Sequence, residues 1–500
     1  MESIIMNFLA GLQTSIEPMN LVWVTIGGLL GTIIGMLPGL GPATGVAVLL
    51  PMTYSMGPTA ALITMCGVYY GAMYGGSRAS ILINTPGDGA AIAATFDGYP
   101  MAMNGRAESA LAMSGIASFI GGSISIIFII FLAKPISSLA LSFGPAEYFL
   151  LFVTALAMTS TMSKGNALGG FISMFIGLII STVGLDGLTG VSRFTFGTLE
   201  LQSGIDFLTV IIAIYALGEV FKCFGDLRQG KKKMQTKFGK IWISKEEWKK
   251  SWLPILRSTP IGFIIGALPG AGGTMASLMA YNNERNLSKN PDDFGKGEIV
   301  GLAAPEAANN AASVGALVPM LSLGVPGSGT TAVMMGALLM LGLQPGPLLF
   351  TQHADIVWGV IASMVVGNMI LGIINIPLAG VFVRVLSVPP KILYPCILAL
   401  AFIGSYAISN SVADFYLLIF FGLLGFFLDK AKIPTSPLIL AVIVGNSMEV
   451  SFRQALIISD GSLSIFYSSP VSIVLLVLAV AFIGLPMFRG LVKTIKTRTA

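Results

Sequence analysis

The chain has 500 residues, of which 54% are hydrophobic and only 10% charged, and its mean hydropathy is +0.85. Soluble domains carry about 25% charged residues, so this composition excludes an ordinary set of soluble domains. The net charge of +5 does not indicate nucleic-acid binding, because 11 of the 28 basic residues lie between Lys222 and Arg257, without the interleaved aromatic residues and the domain context of a nucleic-acid patch.

Several long stretches of the chain hold no Asp, Glu, Lys or Arg, among them 18–77, 109–133, 258–283, 356–383 and 461–488. An apolar helix of about 20 residues crosses a bilayer, so most of these stretches provide one span and the first provides two or more. The pattern predicts an all-α polytopic membrane protein with roughly 10–12 transmembrane helices plus broken or re-entrant helices.

The distribution of basic residues predicts which segments face the cytoplasm. Residues 1–20 contain no Lys or Arg, which favours an outward N-terminus. The basic stretch from Lys222 to Arg257 and the basic C-terminal tail are expected in the cytoplasm by the same rule. We therefore expect a multi-pass protein of the bacterial cytoplasmic (inner) membrane.

A Leu-Pro-Gly sequence interrupts the first apolar stretch, in GMLPGLGPAT at 35–44. Pro removes a backbone donor and Gly permits positive φ, so the pair breaks a helix. Such breaks are tolerated at membrane depth only where they are buried in protein or line a wet cavity. We interpret the segment as a hairpin tip and assign Gly39 and Thr44 to a coupling-cation site. Simple re-entrant architecture is the alternative.

A second break follows in YGGSRASILINTPGDG at 74–89. We assign four of its residues to substrate binding: Ser77, Asn84, Thr85 and Gly87. The carbonyl freed by Pro86 and the carboxylate of Asp88 suit a hard monovalent cation such as Na⁺. Three interpretations of Asp88 stay open, namely a cation ligand, a proton carrier and a plain helix cap.

Two further ionisable residues lie within apolar segments. Arg78 neutralises a substrate carboxylate, pairs with Asp88 or Glu306, or extends to the interface, and these alternatives stay open. Glu306 is either a hydrogen-bonded or proton-coupled acid, or a cap for a helix that starts at Pro305.

The stretch ATFDGYPMAMNGRAESAL at 94–111 is interpreted as a structural loop that follows the first break. In this interpretation Asp97 caps a turn and Arg106 anchors at the lipid headgroups.

The second half repeats the two helix-breaking motifs of the first half. It has a tip in GALPGAGGT at 266–274 and a break in GVPGSGTT at 324–331. A helix that starts at Ser328 or Gly329 presents free amides and a positive dipole end, for which a carboxylate is the natural guest. Plain hydrogen bonding between membrane helices is the alternative role of the hydroxyls. We assign to substrate binding Asn309, Asn310, Gly327, Ser328, Gly329, Thr330 and Thr331. We assign to the coupling cation Pro326, Gly270 and Thr274.

The two halves are related by an offset of 231 residues at the tips and 240 at the breaks. The difference falls in a polar insertion at 282–297 that has no counterpart in the first half. Repeated breaks are typical of transporters with internal repeats, and opposite starting sides predict inverted topology. The predicted organisation is a first membrane repeat (1–225), a basic cytoplasmic linker (226–252), a second membrane repeat (253–450), and a terminal transmembrane helix with a basic cytoplasmic tail (451–500).

Unbroken apolar segments between and after the breaks predict conventional spans. In the first half these lie near 109–133, 145–163, 166–184 and 206–223. In the second half they lie near 355–383, 391–413, 414–429, 433–448 and 470–489.

The residues give little support to an enzyme. His353 is the only histidine, which removes His-metal clusters and most catalytic triads. Asp292 and Asp293 stand alone in a polar loop, and the chain has no Walker A sequence. We therefore expect no catalytic residues, no cofactor and no transition metal, and Na⁺ or H⁺ as the coupling cation.

Three sequences carry a resemblance to a known family: YGAMYGGSRASILINTPGD, FDGYPMAMNGRAESAL and APEAANNAASVGALVPMLSLGVPGSGTTAVMMGALLMLGLQPGPLLF. They resemble the large membrane subunit of tripartite tricarboxylate transporters, the TctA family, and the likeness runs from about residue 20 to about residue 450. It implies a secondary transporter that takes up citrate, another tricarboxylate, or a related dicarboxylate or aromatic acid. It also implies two partners, a small membrane subunit of about four spans and an extracytoplasmic solute-binding protein.

Other classes and assemblies stay open at this point. The chain is alternatively a stand-alone ion-coupled carboxylate symporter or a channel without partner subunits. An intramembrane enzyme is a remote alternative. A homodimer is an open expectation, and a nucleic-acid partner is not expected.

Overall fold

A computed structural model describes residues 2–37, 40–53, 56–162, 166–186, 189–218, 220–221, 241–377, 390–409 and 411–498. These residues are mostly α-helical. The sheet that they contain is an antiparallel pair of β1 (Gly184–Leu185) and β2 (Ser192–Arg193), in which Gly184 pairs with Arg193. The prediction of an all-α polytopic fold is confirmed.

The first half contains nine α-helices in its described part. They are α1 (Glu2–Ser15), α2 (Pro18–Met36), α3 (Pro42–Thr53), α4 (Pro58–Ile83), α5 (Ile92–Met103), α6 (Ala107–Ala140), α7 (Pro145–Met162), α8 (Ala167–Ser181) and α9 (Phe207–Ile212). A 3₁₀ turn (Gly89–Ala91) precedes α5, and a π-helical turn (Ala213–Leu217) continues α9.

The second half has a similar succession of helices. They are α10 (Lys245–Ala267), α11 (Gly272–Leu287), α12 (Ile299–Gly315), α13 (Leu317–Leu323), α14 (Gly329–Met340), α15 (Leu349–Gln352), α16 (Ala354–Asn375), α17 (Pro390–Ser409), α18 (Ala413–Lys430), α19 (Ser436–Ile458) and α20 (Pro470–Arg498). Short 3₁₀ turns lie at Pro291–Asp293 and Leu463–Tyr467.

Each conventional span expected from the sequence overlaps a helix of the described chain, while the parts of these spans at 163, 219, 222–223, 378–383 and 410 lie outside the described residues. By length and composition, three of the described helices suffice to cross a membrane, namely α2, α6 and α16. Several other apolar helices are shorter, as expected where a span is interrupted by a break. The total of 10–12 spans stays a prediction.

Glycines allow the broken helices of each half to pack backbone against backbone. Without a hydrophobic driving force in lipid, membrane helices associate through such close approaches of small residues. In the first half a Cβ on Gly31 or Gly35 of α2 would overlap the backbone of Val68 or Ala72 of α4. In the second half Gly262 and Gly266 of α10 meet Ala308 and Ala312 of α12 in the same way. The α2 glycines and their α10 counterparts are 231 residues apart, and the residues that they contact are 240 apart. The internal repeat inferred from the sequence is therefore a repeat of packing.

Asp97 joins the polar insertion of the second half to the first half. The side chain is fully buried in the middle of α5. Its Oδ1 accepts hydrogen bonds from the backbone N–H groups of Gly295, Gly297 and Glu298 at 2.8–2.9 Å, and its Oδ2 accepts one from the hydroxyl of Tyr281 at 3.0 Å. The prediction of a loop over 94–111 is wrong, because most of these residues belong to α5 and α6.

Arg106 also contacts the second half, close to the place where Asp97 binds the polar insertion (the junction). Its guanidinium donates to the carbonyl of Gly297 at 3.2 Å and to the carboxylate of Glu247 at 2.7 Å. Glu247 also closes a capping box with Ser244 at the start of α10. The turn between α5 and α6 is thus fixed to two elements of the second half.

Candidate functional site

The two breaks have the same backbone construction. Helix α4 ends at Asn84, which has a left-handed backbone with φ of 52°, and α13 ends at Gly324 with φ of 70°. The N–H groups that close these helix ends donate to the carbonyl of Ala79 in the first break and to that of Pro319 in the second. Each pair of positions is separated by 240 residues, so the second break repeats the first in geometry as well as in sequence.

A side chain caps the helix that follows each break. Asp88 Oδ1 accepts a hydrogen bond from the backbone N–H of Ala91 at 3.2 Å. Ser328 Oγ accepts one from the N–H of Thr331 at 3.2 Å, and Thr331 Oγ1 accepts one from the N–H of Ser328 at 2.8 Å. The expected start of the second helix is confirmed, with Ser328 as N-cap and Gly329 as first residue. Asp88 is a helix cap, and this role does not exclude a second role as a cation ligand.

Gly87 and Gly327 hold the breaks against the ends of the preceding helices. A Cβ on Gly87 would overlap the carbonyl oxygen of Gly35, and one on Gly327 would lie 2.8 Å from the carbonyl oxygen of Gly266. No side chain fits at either position without displacement of backbone. Each break is therefore seated directly on the tip region of its own half.

The two tips begin alike. The N–H of Leu37 donates to the carbonyl of Ile34, and the N–H of Leu268 donates to that of Ile265. Gly39, which we assigned to the cation site, lies outside the described residues. Its second-half partner Gly270 has φ of +80°, and its N–H donates to the carbonyl of Gly327 at 3.3 Å.

The second tip also meets the break of the first half. A Cβ on Gly89 would lie 2.5 Å from Oγ1 of Thr274, and one on Gly273 would lie 2.8 Å from Cβ of Ala90. Asp88 and Thr274 are both half-buried. Thr274, which we assign to the coupling cation, thus lies beside Gly89, the residue that follows Asp88 in the chain.

The second break is approached by the first half. The hydroxyls of Tyr69, from α4, and Ser328 lie 3.2 Å apart. Thr44 Oγ1 donates to the carbonyl of Tyr215 at 3.2 Å, and the hydroxyl of Tyr215 lies beside Gly329. Both breaks and both tips therefore converge on one region between the halves.

Asn309 contributes an unsatisfied oxygen to this region. The residue is 1% exposed, and its Oδ1 has no hydrogen-bond partner among the described residues. This oxygen would lie 3.4 Å from a Cβ placed on Gly273, at the second tip. A buried polar atom without a partner is unfavourable. A bound cation would satisfy this oxygen, whereas the sequence analysis assigned Asn309 to substrate binding.

Some of the other predicted site residues have hydrogen-bond partners outside this region or within their own helix, and the rest lie in or next to the two breaks. Ser77 binds Glu306, at 2.8 Å from its Oε2. Asn310 donates to the carbonyl of Glu306 one turn earlier in its own helix, and Thr85 donates to the carbonyl of Ile83. Asn84 is exposed at the first break. Thr330 is buried in the first turn of α14, and Pro86 and Pro326 lie within the two breaks.

The structure excludes one alternative for each of the two intramembrane ionisable residues. Glu306 lies inside α12, which begins at Ile299, so the interpretation as a cap at Pro305 is wrong. Arg78 is 4% exposed, which contradicts an extension to the interface, and its Nη2 donates to the carbonyl of Asn375 at 2.7 Å.

Tyr69, Tyr215 and Ser436 are site neighbours that the sequence analysis did not find. Tyr215 and Ser436 come from segments far away in the sequence, and both approach Gly329. Tyr69 lies in an apolar, glycine-rich stretch where two adjacent tyrosines are the only signal. Tyrosine in a buried helix needs a partner for its hydroxyl, and this requirement is the cue that would have identified Tyr69.

The region combines helix starts, which can attract an anion, with side-chain oxygens of the type that binds hard cations. The helix starts at 88–91 and 328–331 carry positive dipole ends, and the N–H groups of Ala91, Ser328 and Thr331 already bind capping side chains. The oxygens of Asp88, Thr274 and Asn309 suit a hard cation. Within the described chain, no three His, Cys, Asp or Glu side chains cluster closely enough to hold a metal ion.

Comparison with known proteins gives one family match and two relatives. The model of the "Tripartite tricarboxylate transporter TctA family" matches residues 21–440. An "uncharacterized 52.8 kDa protein in TAR-I ttuC' 3'region" of Agrobacterium vitis is 40% identical over 484 residues, which cover 96% of each chain. An "uncharacterized protein in TAR-II ttuC' 3'region" of the same organism is 42% identical over 215 residues, covering 43% of this chain and 89% of that protein. No solved structure matches.

Proposed function

Since the chain belongs to the tripartite tricarboxylate transporter TctA family, we propose that it is the large membrane subunit of a binding-protein-dependent secondary transporter that imports carboxylates. The convergence of two tips and two breaks between the repeated halves is the observation that carries this proposal. Broken helices meeting at a repeat interface are where secondary transporters bind substrate and coupling ion.

The proposed mechanism follows from the ends of the broken helices. An extracytoplasmic binding protein delivers a carboxylate, and the positive helix N-termini at Gly87–Gly89 and at Ser328–Thr331 attract its negative charge. A cation, Na⁺ or H⁺, binds beside it. Movement of the tips and breaks relative to the remaining helices then opens the region to the cytoplasm.

The first experiment identifies the substrate. The solute-binding protein that the proposal expects to be encoded beside this chain is screened by thermal shift against citrate, other tri- and dicarboxylates, and aromatic acids. Uptake of the stabilising compound is then measured in cells that express all three components, and in vesicles that contain the purified large subunit alone. We expect uptake to require the complete set; full uptake by the purified subunit would favour the stand-alone symporter.

The cation site is tested at Thr274 and Asn309. Thr274→Val removes the hydroxyl at constant shape, and Asn309→Ala removes the unsatisfied oxygen. Loss of one ligand worth about 1.4 kcal/mol weakens cation binding about tenfold, so the cation concentration for half-maximal uptake should rise by that factor. It is measured with Na⁺ varied at fixed pH, and with pH varied at fixed Na⁺.

Thr274→Ser is the matched control, because it keeps the hydroxyl oxygen. It should leave the cation dependence close to that of the unmodified protein. Equal cation dependence in Thr274→Val, Asn309→Ala and Thr274→Ser would contradict the placement of the cation at the second tip.

A docking surface for the binding protein is proposed on the β-hairpin after α8. The basic linker is expected in the cytoplasm. The span predicted from the sequence near 206–223 separates it from the hairpin, so we place the hairpin on the opposite side. Exposed apolar side chains follow β2, with Phe194 58%, Phe196 85% and Leu199 77% exposed. Arg453 fixes the hairpin to α19 through an ion pair with Asp186 at 3.0 Å.

Phe196→Ala should weaken docking of the binding protein at least about tenfold, since a buried aromatic anchor contributes about 2 kcal/mol or more. The measurement is the concentration of binding protein that gives half-maximal uptake into vesicles. Leu168→Ala is the control, because Leu168 is 74% exposed at the other end of α8. An equal effect of both variants would contradict a docking role for the hairpin.

A further inference from the structure

A second polar cluster is buried between the halves, formed by Glu306 of α12, Ser77 of α4 and Ser118 of α6. Glu306 Oε2 lies 2.8 Å from Ser77 Oγ and 3.1 Å from Ser118 Oγ. Glu306 is 1% exposed, and both serines are fully buried. The acid belongs to the second half, whereas both hydroxyls belong to the first.

No ion pair of Glu306 exists among the described residues, so its charge is not compensated by a cation there. An isolated carboxylate in an apolar interior is strongly disfavoured relative to the neutral acid. Serine hydroxyls supply dipoles but no positive charge. The surroundings therefore favour a Glu306 that carries a proton.

The ionisable groups around this cluster direct their polar atoms elsewhere. On α4, Arg78 donates to the carbonyl of Asn375 and Tyr74 donates to Oδ1 of Asn368. Asp88 caps the first break. On the other helices packed against α12, the sequence has no Asp, Glu, Lys or Arg over 109–133 of α6 or 258–283 of α10 and α11, apart from the ends of these helices.

Two further charged groups of the helices packed against α12 are engaged at the junction of the insertion. Asp97 of α5 accepts the insertion amides and the hydroxyl of Tyr281. Glu284 of α11 binds Arg257 of α10 at 2.6 Å. These contacts leave the Glu306 carboxyl to the serines.

The serines suit both protonation states of a carboxyl group. Ser77 Oγ lies 2.8 Å from Glu306 Oε2 and also 3.4 Å from the carbonyl of Met73. With a carboxylate, the hydroxyl hydrogen points to Oε2. With a carboxylic acid, the hydroxyl turns to the carbonyl of Met73, and its oxygen accepts the acid proton.

We propose that Glu306, held by Ser77 and Ser118, is a proton-binding site of this protein, separate from the cation site at the tips and breaks. The carboxylate takes up one H⁺ and becomes a neutral acid, with no other bond formed or broken. The role of this proton in the transport cycle rests on the proposed function; proton binding itself does not.

Protonation at this position acts on the contact between the halves. The neutral acid stays buried against α4 and α6, whereas the anion draws water or a cation into the interface. Release of the proton therefore loosens a contact that joins α12 to two helices of the other half. A change of pH is thus sensed at the contact of α12 with α4 and α6.

Infrared difference spectroscopy tests the proposal directly. The purified protein, in vesicles of phosphatidylethanolamine and phosphatidylglycerol, is titrated over pH and followed at the C=O stretching band of protonated carboxyl groups. We expect a pH-dependent band that Glu306→Gln removes. Glu200→Gln, at an exposed glutamate, and Asp88→Asn, at the first break, should both retain it.

Ser77→Ala and Ser118→Ala provide a readout that does not depend on removal of the acid. Each variant deletes one hydrogen bond to the carboxyl group, so the band should shift in frequency and persist. If Glu306→Gln fails to fold, this shift alone decides the assignment, and an unshifted band in both serine variants overturns it.

Two results would overturn the proposal. One is a spectrum of folded Glu306→Gln that matches the unmodified protein over the whole pH range. The other is saturable binding of ²²Na⁺ that is lost in Glu306→Gln and kept in Asp88→Asn, which would make the cluster a sodium site. Neither measurement involves carboxylate uptake, so failure of the proposed function is recognised separately, by loss of binding-protein-dependent uptake with the infrared band intact.

Discussion

Gly327→Val is expected to abolish carboxylate uptake and to leave the chain inserted in the membrane. A Cβ at this position would lie 2.7–2.9 Å from backbone atoms of Ala316 and Gly266. Insertion of extra methyl groups into a packed interior costs about 1–3 kcal/mol, which the fold is expected to survive. The second break, however, must shift, and a displacement of about 1 Å of positioning groups reduces a rate about a hundredfold.

Uptake of the carboxylate identified through the binding protein is the measurement, together with the amount of protein in the membrane fraction. Gly87→Val should behave alike, because Gly87 occupies the equivalent position against Gly35. Gly57→Val is the control, since a Cβ on Gly57 meets nothing within 4 Å. Near-normal uptake by both break variants would show that the breaks do not form the binding region.

Asp97→Ala is expected to lower the free energy of unfolding by about 3 kcal/mol or more. The substitution leaves three backbone N–H groups of the insertion without their acceptor, and each orphaned buried donor costs about 1–3 kcal/mol. The hydroxyl of Tyr281 loses its partner as well. Thermal unfolding in detergent measures the loss, and hydrogen exchange should rise in the segment 288–298, which Asp97 holds.

A series of substitutions of increasing severity distinguishes the loss of the Asp97 hydrogen bonds from a destabilisation that any substitution in this region would cause. Tyr281→Phe removes one of the four hydrogen bonds and should cost about 1 kcal/mol, less than Asp97→Asn and Asp97→Ala. Asp292→Ala changes an exposed carboxylate of the same insertion and should have little effect. Equal stability of Asp97→Ala and Asp292→Ala would contradict a structural role for the buried carboxylate.

Asp97 and Glu306 form two contacts between the halves that differ in the number and kind of their hydrogen bonds. Asp97 accepts four hydrogen bonds from the insertion and Tyr281, and it fixes the first half to the start of α12. Glu306, two turns further along α12, meets only hydroxyls among the described side chains. A fixed junction at one end of α12 and a proton-dependent contact further along would allow this helix to respond to pH without separation of the halves.

The sequence by itself predicted the all-α membrane fold, the conventional helices and the duplication. These features follow from local properties, namely the length of apolar runs, the helix-breaking geometry of Pro-Gly pairs and the spacing of repeated motifs. The N-cap roles of Asp88 and Ser328 were also predictable, because a cap is set by residues within one turn.

Only the tertiary structure decided which distant residues share a place. The neighbours Thr274 and Gly89, Tyr69 and Ser328, and Ser77 and Glu306 lie between 185 and 259 positions apart in the chain. The prediction of a loop around Asp97 failed for the same reason. The local sequence resembles a turn, but the side chain of Asp97 accepts hydrogen bonds from backbone amides about 200 positions away in the chain. Local chemistry specifies where a helix breaks. The partner of a buried polar group is instead set by the packing of the whole chain, and a single sequence does not show which distant residues come into contact.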